Sequence, residues 1–80
     1  MKSEFLDSLC LKHAYIVFGE VSRIFGYPHR WDLINEMENY AYSVVRARYN
    51  EKEQDLIIEH LKKMFQEYKA ECEYHDLTYR

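Results

Sequence analysis

The sequence is poor in the residues that make tight turns, with two glycines and one proline among its 80 residues. A chain with so few turn residues has material for only a few breaks between elements. The clearest break is Gly26-Tyr-Pro-His29, where a glycine that can end a helix is followed by a proline that can begin the next. The shortage predicts few, long elements. With no linker or internal repeat in sight, it also predicts one helical domain spanning residues 1–80.

Cysteine is scarce as well, since Cys10 and Cys72 are the only two. Two cysteines do not make a disulfide framework, so an intracellular, reducing, cytoplasmic setting is predicted, with a single Cys10–Cys72 bridge as the minor alternative. The early acids Glu4 and Asp7 are untypical of a secretory signal. No stretch approaches the roughly 20 apolar residues of a membrane span, and no membrane partner is predicted.

Basic residues are not in excess, because 11 lysines and arginines face 14 acids, for a formal net charge of -3. That balance is untypical of a protein that binds phosphate backbones, and it is too weakly acidic for a nucleic-acid mimic. Catalytic motifs are missing too. No serine stands in a glycine elbow, no loop could cradle a phosphate, and the acids fall on polar faces, so we predict a protein that is not an enzyme.

What the chain does have is apolar residues at helical spacing, with steps of three and four. A first helix is predicted from about Ser3, as its N-cap, to Phe25. Gly19 inside this helix predicts a close helix contact or a kink. The predicted core stripe is Leu6, Cys10, Ala14, Val17, Val21 and Ile24, widened by Phe5, Leu9, Ile16, Phe18 and Phe25.

Two further helices follow, one from about His29 to Tyr49 and one from Asn50 to about Tyr79. Asn50 and Glu53 have the spacing of a capping box, with Asn in the place of Ser or Thr. The apolar side of the second helix is predicted to hold Trp31, Leu33, Ile34, Met37, Tyr40 or Ala41, Val44 and Val45. That of the third is predicted to hold Ile57, Leu61, Met64, Tyr68, Cys72 and His75, flanked by Ile58 and Phe65.

Three helices joined by short turns predict an all-α fold, a three-helix up-down-up bundle. At about 1.5 Å per residue, the third helix is over 40 Å long if it is unbroken, against about 33 Å for the first. The long C-terminal helix must therefore overhang or bend. Its free end would then need to be covered by a bend, a second copy or a partner.

Aromatic residues make up 16% of the chain, and eight of them are tyrosines. A small bundle cannot bury them all, and tyrosine is a favoured anchor of protein interfaces. We therefore predict a homodimer or a protein-binding module of the inhibitor or adaptor kind. Phages and mobile elements use such small proteins against host enzymes, an analogy from size and composition alone. The predicted partner-binding residues are Tyr68, Tyr74, His75 and Tyr79, with Tyr42 and Tyr49.

Nucleic-acid binding is the alternative function. The basic residues Arg46, Arg48, Lys62 and Lys63 could form a surface near Tyr49 and Tyr42, of which we expect Tyr42 to be exposed. Acids are interleaved with these basic residues, and no recognition-helix pattern stands out. The nucleic-acid hypothesis is therefore not the favoured one.

A zinc-stabilised helical dimer is the second alternative, because the spacing Cys-x-x-His occurs twice, as Cys10 with His13 and Cys72 with His75. Cysteine and histidine three residues apart share a helical face and can both ligate zinc. In a straight bundle, however, the rise per residue separates the two pairs by more than about 20 Å. A site of Cys72, His75 and His29 at one end is geometrically easier. The simpler interpretation is that these residues belong to the core, and no cofactor is required.

Overall fold

The computed structural model describes the backbone of residues 4–79 and the side chains of residues 4–72. These residues form three α-helices and no strand: α1 (Glu4–Phe25), α2 (Trp31–Arg48) and α3 (Glu51–Tyr79). Each helix packs against both of the others. The prediction of an all-α three-helix bundle is confirmed, while the predicted N-cap Ser3 lies outside the described residues.

Ring contacts between the helices give the chain direction of each. The ring of His13, in the first half of α1, lies 4.7 Å from that of Tyr49, just after α2. Trp31, the first residue of α2, lies under the ammonium group of Lys69, in the second half of α3. Neighbouring helices along the chain are therefore antiparallel, which is the up-down-up order expected from short connections.

The core is a narrow seam between the three helices, and its largest fully buried side chain is Phe65. Small residues of α1, among them Cys10, Ala14 and Val17, face it from one side, as the predicted stripe requires. The other buried core residues are Val21, Ile34, Met37, Ala41, Val45, Ile57, Leu61 and Cys72. Because helices that carry small side chains can approach closely, the seam has room for few large ones.

The turn after α1 satisfies the last carbonyls of that helix. Gly26 has a φ of 70°, and its N–H donates to the carbonyl of Arg23 at 3.2 Å. The N–H of Tyr27 donates to the carbonyl of Ser22 at 2.9 Å. This pair of bonds is the Schellman motif, so the predicted role of Gly26 as the residue after the helix is confirmed. Tyr27 also has a positive φ of 51°, a conformation that few residues other than glycine adopt.

The turn between α2 and α3 is closed by two side chains. The side-chain oxygen of Asn50 accepts the N–H of Glu53 at 3.0 Å, which confirms Asn50 as the N-cap of α3. The side-chain amide of Gln54 donates to the carbonyls of Tyr49 at 2.7 Å and Arg46 at 3.3 Å. One residue of α3 thus satisfies carbonyls at the end of α2, which holds this short connection.

Several residues predicted for the core stripes lie at the surface instead. Ile24 is 64% exposed, because it lies on the side of α1 and α2 that α3 does not cover. Either Tyr40 or Ala41 was predicted for the apolar side of α2. Ala41 is the buried one, and Tyr40 is 44% exposed. The other exposed members of the predicted apolar sides are Phe5, Ile16, Trp31 and Leu33.

Two predictions about helix continuity are resolved. A Cβ atom at Gly19 would have no neighbour within 4 Å, so the predicted close helix contact there is wrong. The third helix is unbroken from Glu51 to Tyr79, with 29 residues against 22 in α1. At about 1.5 Å per residue, α3 is therefore about 10 Å longer than α1.

Replacing Gly19 by alanine is expected to raise the free energy of unfolding by up to about 1 kcal/mol, because alanine favours the helix and meets open space here. Urea unfolding followed by circular dichroism measures the change. Gly26→Ala is the control and should lower stability, since its φ of 70° strains any residue with a Cβ. A destabilised Gly19→Ala protein would mean that α1 is not a regular helix at this position.

Removing the hydroxyl of Ser22 is expected to raise stability by about 1 kcal/mol, because Ser22 is 1% exposed and its Oγ has no hydrogen-bond partner among the described residues. The matched control is Ser43→Ala on exposed helix surface, where Oγ donates to the carbonyl of Asn39. The same propensity change applies to both variants, but only Ser43→Ala loses a hydrogen bond, so Ser22→Ala is expected to have the higher urea midpoint. Loss of stability in Ser22→Ala would reveal a partner for the hydroxyl.

Candidate protein-interaction surfaces

The first surface is a shallow groove of about 210 Å³ between α1 and α3, which we call the α1–α3 groove. Its apolar walls are Tyr15, Phe18, Met64 and Tyr68, and its acidic rim is Glu67 and Glu71. Phe18 lies at the bottom, with its ring centroid 4.9 Å from that of Phe65 and 5.9 Å from that of Tyr68. The groove therefore rests directly on the bundle core.

Tyr68 forms a rigid wall of this groove. Its hydroxyl donates to the carbonyl of Pro28 at 2.8 Å, across to the turn between α1 and α2. Partial burial is the main reason why the pKa of Tyr68 is raised, with smaller contributions from Cys72 and Tyr27. The ring is thus held at both ends, by Phe18 and by the turn. A pre-set wall of this kind costs little entropy when a partner binds.

The tyrosines predicted for partner binding do not form one patch. Tyr74, His75 and Tyr79 lie outside the residues whose side chains are described. Tyr49 is half-buried and its hydroxyl hydrogen-bonds with Nδ1 of His13 at 3.2 Å, at the opposite end of the bundle from Tyr68. Tyr42, which we expected to be exposed, is half-buried as well.

Two aromatic residues of the α1–α3 groove, Tyr15 and Phe18, were not among the predicted binding residues. Tyr15 is 63% exposed, on α1, whereas all the predicted binding residues lie between positions 42 and 79. The signal in the sequence was the spacing of Tyr15 and Phe18, because aromatic residues three apart on a helix lie side by side. That pair projects beside the core stripe and widens the apolar face towards α3.

The second surface is a larger groove of about 440 Å³ between α1 and α2, which we call the α1–α2 face. Its apolar residues are Val21, Ile24, Tyr40 and Val44. Its charged residues are Glu20, Arg23 and Arg48, of which Arg48 donates to Glu20 at 2.8 Å. Two of its apolar residues, Ile24 and Tyr40, are largely open to solvent.

The predicted basic residues are all exposed, but they point in different directions. Arg48 is turned towards α1 by its ion pair with Glu20. Lys62 and Lys63 are successive residues of α3, so about 100° of rotation separates them.

The two cysteine side chains are buried at opposite ends of the bundle. Cys10 contacts the carbonyl of Glu53 at the start of α3, whereas Cys72 contacts the carbonyl of Pro28 in the other turn. Glu53 and Cys72 are about 28 Å apart along α3, so a Cys10–Cys72 disulfide is excluded. Burial, and then the charges of Glu53 and Asp7, raise the pKa of Cys10, so its thiol stays protonated near neutral pH.

The distance between the two cysteines also decides whether they can bind one zinc ion. Because α3 is unbroken, Cys10 with His13 and Cys72 cannot share one ion within a chain. The structure does bring Cys72 and His29 together, with Sγ and Nδ1 3.7 Å apart, while the third member of that predicted set, His75, lies outside the described side chains. Among the described residues, no three His, Cys, Asp or Glu side chains converge closely enough to hold a metal ion.

A polar cluster joins α2 to α3 away from both grooves. The hydroxyl of Tyr42 donates to the carboxylate of Glu38, whose other oxygen accepts Lys69 at 3.0 Å. Lys69 in turn lies 5.9 Å from the ring centroid of Trp31. Burial is the largest cause, and the bond to Glu38 the next, of the raised pKa of Tyr42. Tyr42 is therefore held as an internal link between helices.

No protein-family model, curated protein or solved structure matches this chain. In the part of the chain that is described, no helix has the length and apolar character needed to cross a membrane. The α1–α3 groove and the α1–α2 face are therefore the features that bear on function.

The raised pKa of Tyr42 predicts a specific loss of stability in alkali. A hydroxyl that ionises above its unfolded pKa of about 10 contributes stability that is complete below pH 10 and is lost as the pH rises above it. The free energy of unfolding of the wild type should therefore fall more steeply above pH 10 than that of Tyr42→Phe. Urea titrations at several pH values measure both slopes. Equal slopes would contradict the link.

Proposed function

We propose that this protein is a small binding module that holds a basic, apolar segment of a partner protein in the α1–α3 groove. The observation that carries the proposal is the exposed Tyr15 beside the anchored Tyr68, over a groove with two glutamates on its rim. The bound segment is expected to lay apolar side chains between the two tyrosine rings. Its lysines or arginines would then face Glu67 and Glu71.

The chemistry of the groove suits recognition by contact area. Tyrosine offers a large, rigid surface with only two side-chain torsions to immobilise, and methionine adapts its shape to different partners. Tyr15, Met64 and Tyr68 supply three such side chains within one groove. The groove is shallow, which fits a peptide or helix surface better than a small molecule enclosed on all sides.

The charge of the groove selects the partner. Glu67 and Glu71 are both exposed and lie one turn apart on the same side of α3. Carboxylates at the edge of an apolar groove favour a partner with lysine or arginine at matching positions, chiefly by steering association. The net charge of -3 adds a weaker attraction of the same sign.

Selection from a random peptide library displayed on phage tests the proposal without knowledge of the natural partner. Immobilised protein is expected to enrich peptides that combine lysine or arginine with aromatic or aliphatic residues. The double variant Glu67→Lys/Glu71→Lys should bind those peptides at least about tenfold more weakly, in measurements by titration calorimetry.

The matched control is Asp55→Lys/Glu59→Lys, which makes the same charge change at the same spacing on a different side of α3. It is expected to leave binding within about twofold of the wild type, apart from the general effect of net charge. Tyr15→Ala should weaken binding while the helical content stays unchanged. Enrichment of acidic peptides, no enrichment, or equal losses in both double variants would rule the proposal out.

A further inference from the structure

The α1–α2 face is a second unpartnered surface, separate from the α1–α3 groove. Ile24 is 64% exposed and Tyr40 is 44% exposed, above a floor made by Val21 and Val44. Both exposed side chains stand on the side of α1 and α2 that α3 does not cover. A continuous apolar surface with a charged rim is typical of a protein interface.

Two of the three charged residues of this face, Glu20 and Arg48, are arranged in a self-complementary way. The carboxylate of Glu20 and the guanidinium of Arg48 lie 2.8 Å apart, so the two groups are at one level along the helices. One belongs to α1 and the other to α2. Both groups are partly exposed, with 39% and 46% of the side-chain surface open to solvent, so each can still accept a second partner.

A two-fold axis parallel to the helices would pair these two charged groups with those of a second copy. Rotation by 180° about such an axis places α1 of one copy over α2 of the other, at the same level. The carboxylate of Glu20 then meets the guanidinium of Arg48 in the second copy, and the reverse contact forms by symmetry. Isologous contacts of this kind characterise two-fold dimers.

We propose that the occupant of the α1–α2 face is a second copy of this chain. The four helices that meet form an antiparallel layer in which every neighbour runs in the opposite direction, as in four-helix bundles. A partner of a single charge sign would satisfy either Glu20 or Arg48 and repel the other. A second copy satisfies both.

A stable interface removes about 800 Å² per partner from solvent, which is a small part of the 5932 Å² that the chain exposes. The exposed side chains of the α1–α2 face already stand on the surface. The proposed dimer therefore needs no rearrangement of the helices, and it leaves the α1–α3 groove open on each copy.

Charge-swapped variants test the arrangement directly. Glu20→Arg makes both positions of the pair arginine, and Arg48→Glu makes both glutamate, so each variant alone should dimerise at least about tenfold more weakly than the wild type. A mixture of the two should form a heterodimer, since every contact across the interface is then between opposite charges. Sedimentation velocity and native mass spectrometry measure the species, and circular dichroism checks that each variant is folded.

Two further variants locate the interface. Ile24→Glu is expected to abolish the dimer, while Tyr15→Glu, which places the same charge in the α1–α3 groove, should leave it intact. A wild type that is monomeric at about 1 mM overturns the proposal and leaves the face to a different protein. A dimer that survives Ile24→Glu, or variants that show no preference for each other, also overturns it. None of these outcomes depends on peptide binding in the α1–α3 groove.

Discussion

The structure depends on one constraint, which is the narrowness of the seam that the three helices share. Cys10, Ala14 and Ala41 allow the helices to approach closely, and Phe65 is the one aromatic residue that is fully buried among the side chains of residues 4–72. Close packing of small side chains stabilises the bundle through many short contacts. As a result, most of the large hydrophobic residues that the structure describes are not fully buried.

Three of the eight large hydrophobic side chains exposed among the described residues lie in the two surfaces. Tyr15 contributes to the α1–α3 groove, and Ile24 and Tyr40 contribute to the α1–α2 face. The two surfaces differ in charge, because glutamates alone line the rim of the groove whereas both signs occur on the face. That difference is what leads to two different proposed occupants, a basic partner segment and a second copy. Both follow from the same shortage of interior volume.

Tyrosine hydroxyls explain why the number of tyrosines overstates the number of exposed anchors. Tyr68 reaches the carbonyl of Pro28, Tyr49 pairs with His13, and Tyr42 donates to Glu38. Each ring closes an edge of the core while its hydroxyl bonds within the chain. Polar groups that are partly buried are stabilised when they find such partners. A tyrosine at the edge of a helical stripe can therefore be an internal link or a wall of a groove.

The sequence by itself determined the three helices and their order, because these depend on local spacing. It also placed the end of α1 and the start of α3, where Gly26 and Asn50 act on their own turns. The start of α2, predicted at about His29, lies at Trp31. The sequence also separated Cys10 from Cys72 through the rise per residue. Only the tertiary structure decided which stripe-edge residues are buried, so that Ile24 is exposed and Tyr68 is anchored. Burial at an edge depends on how far a neighbouring helix extends over it, which no local pattern contains.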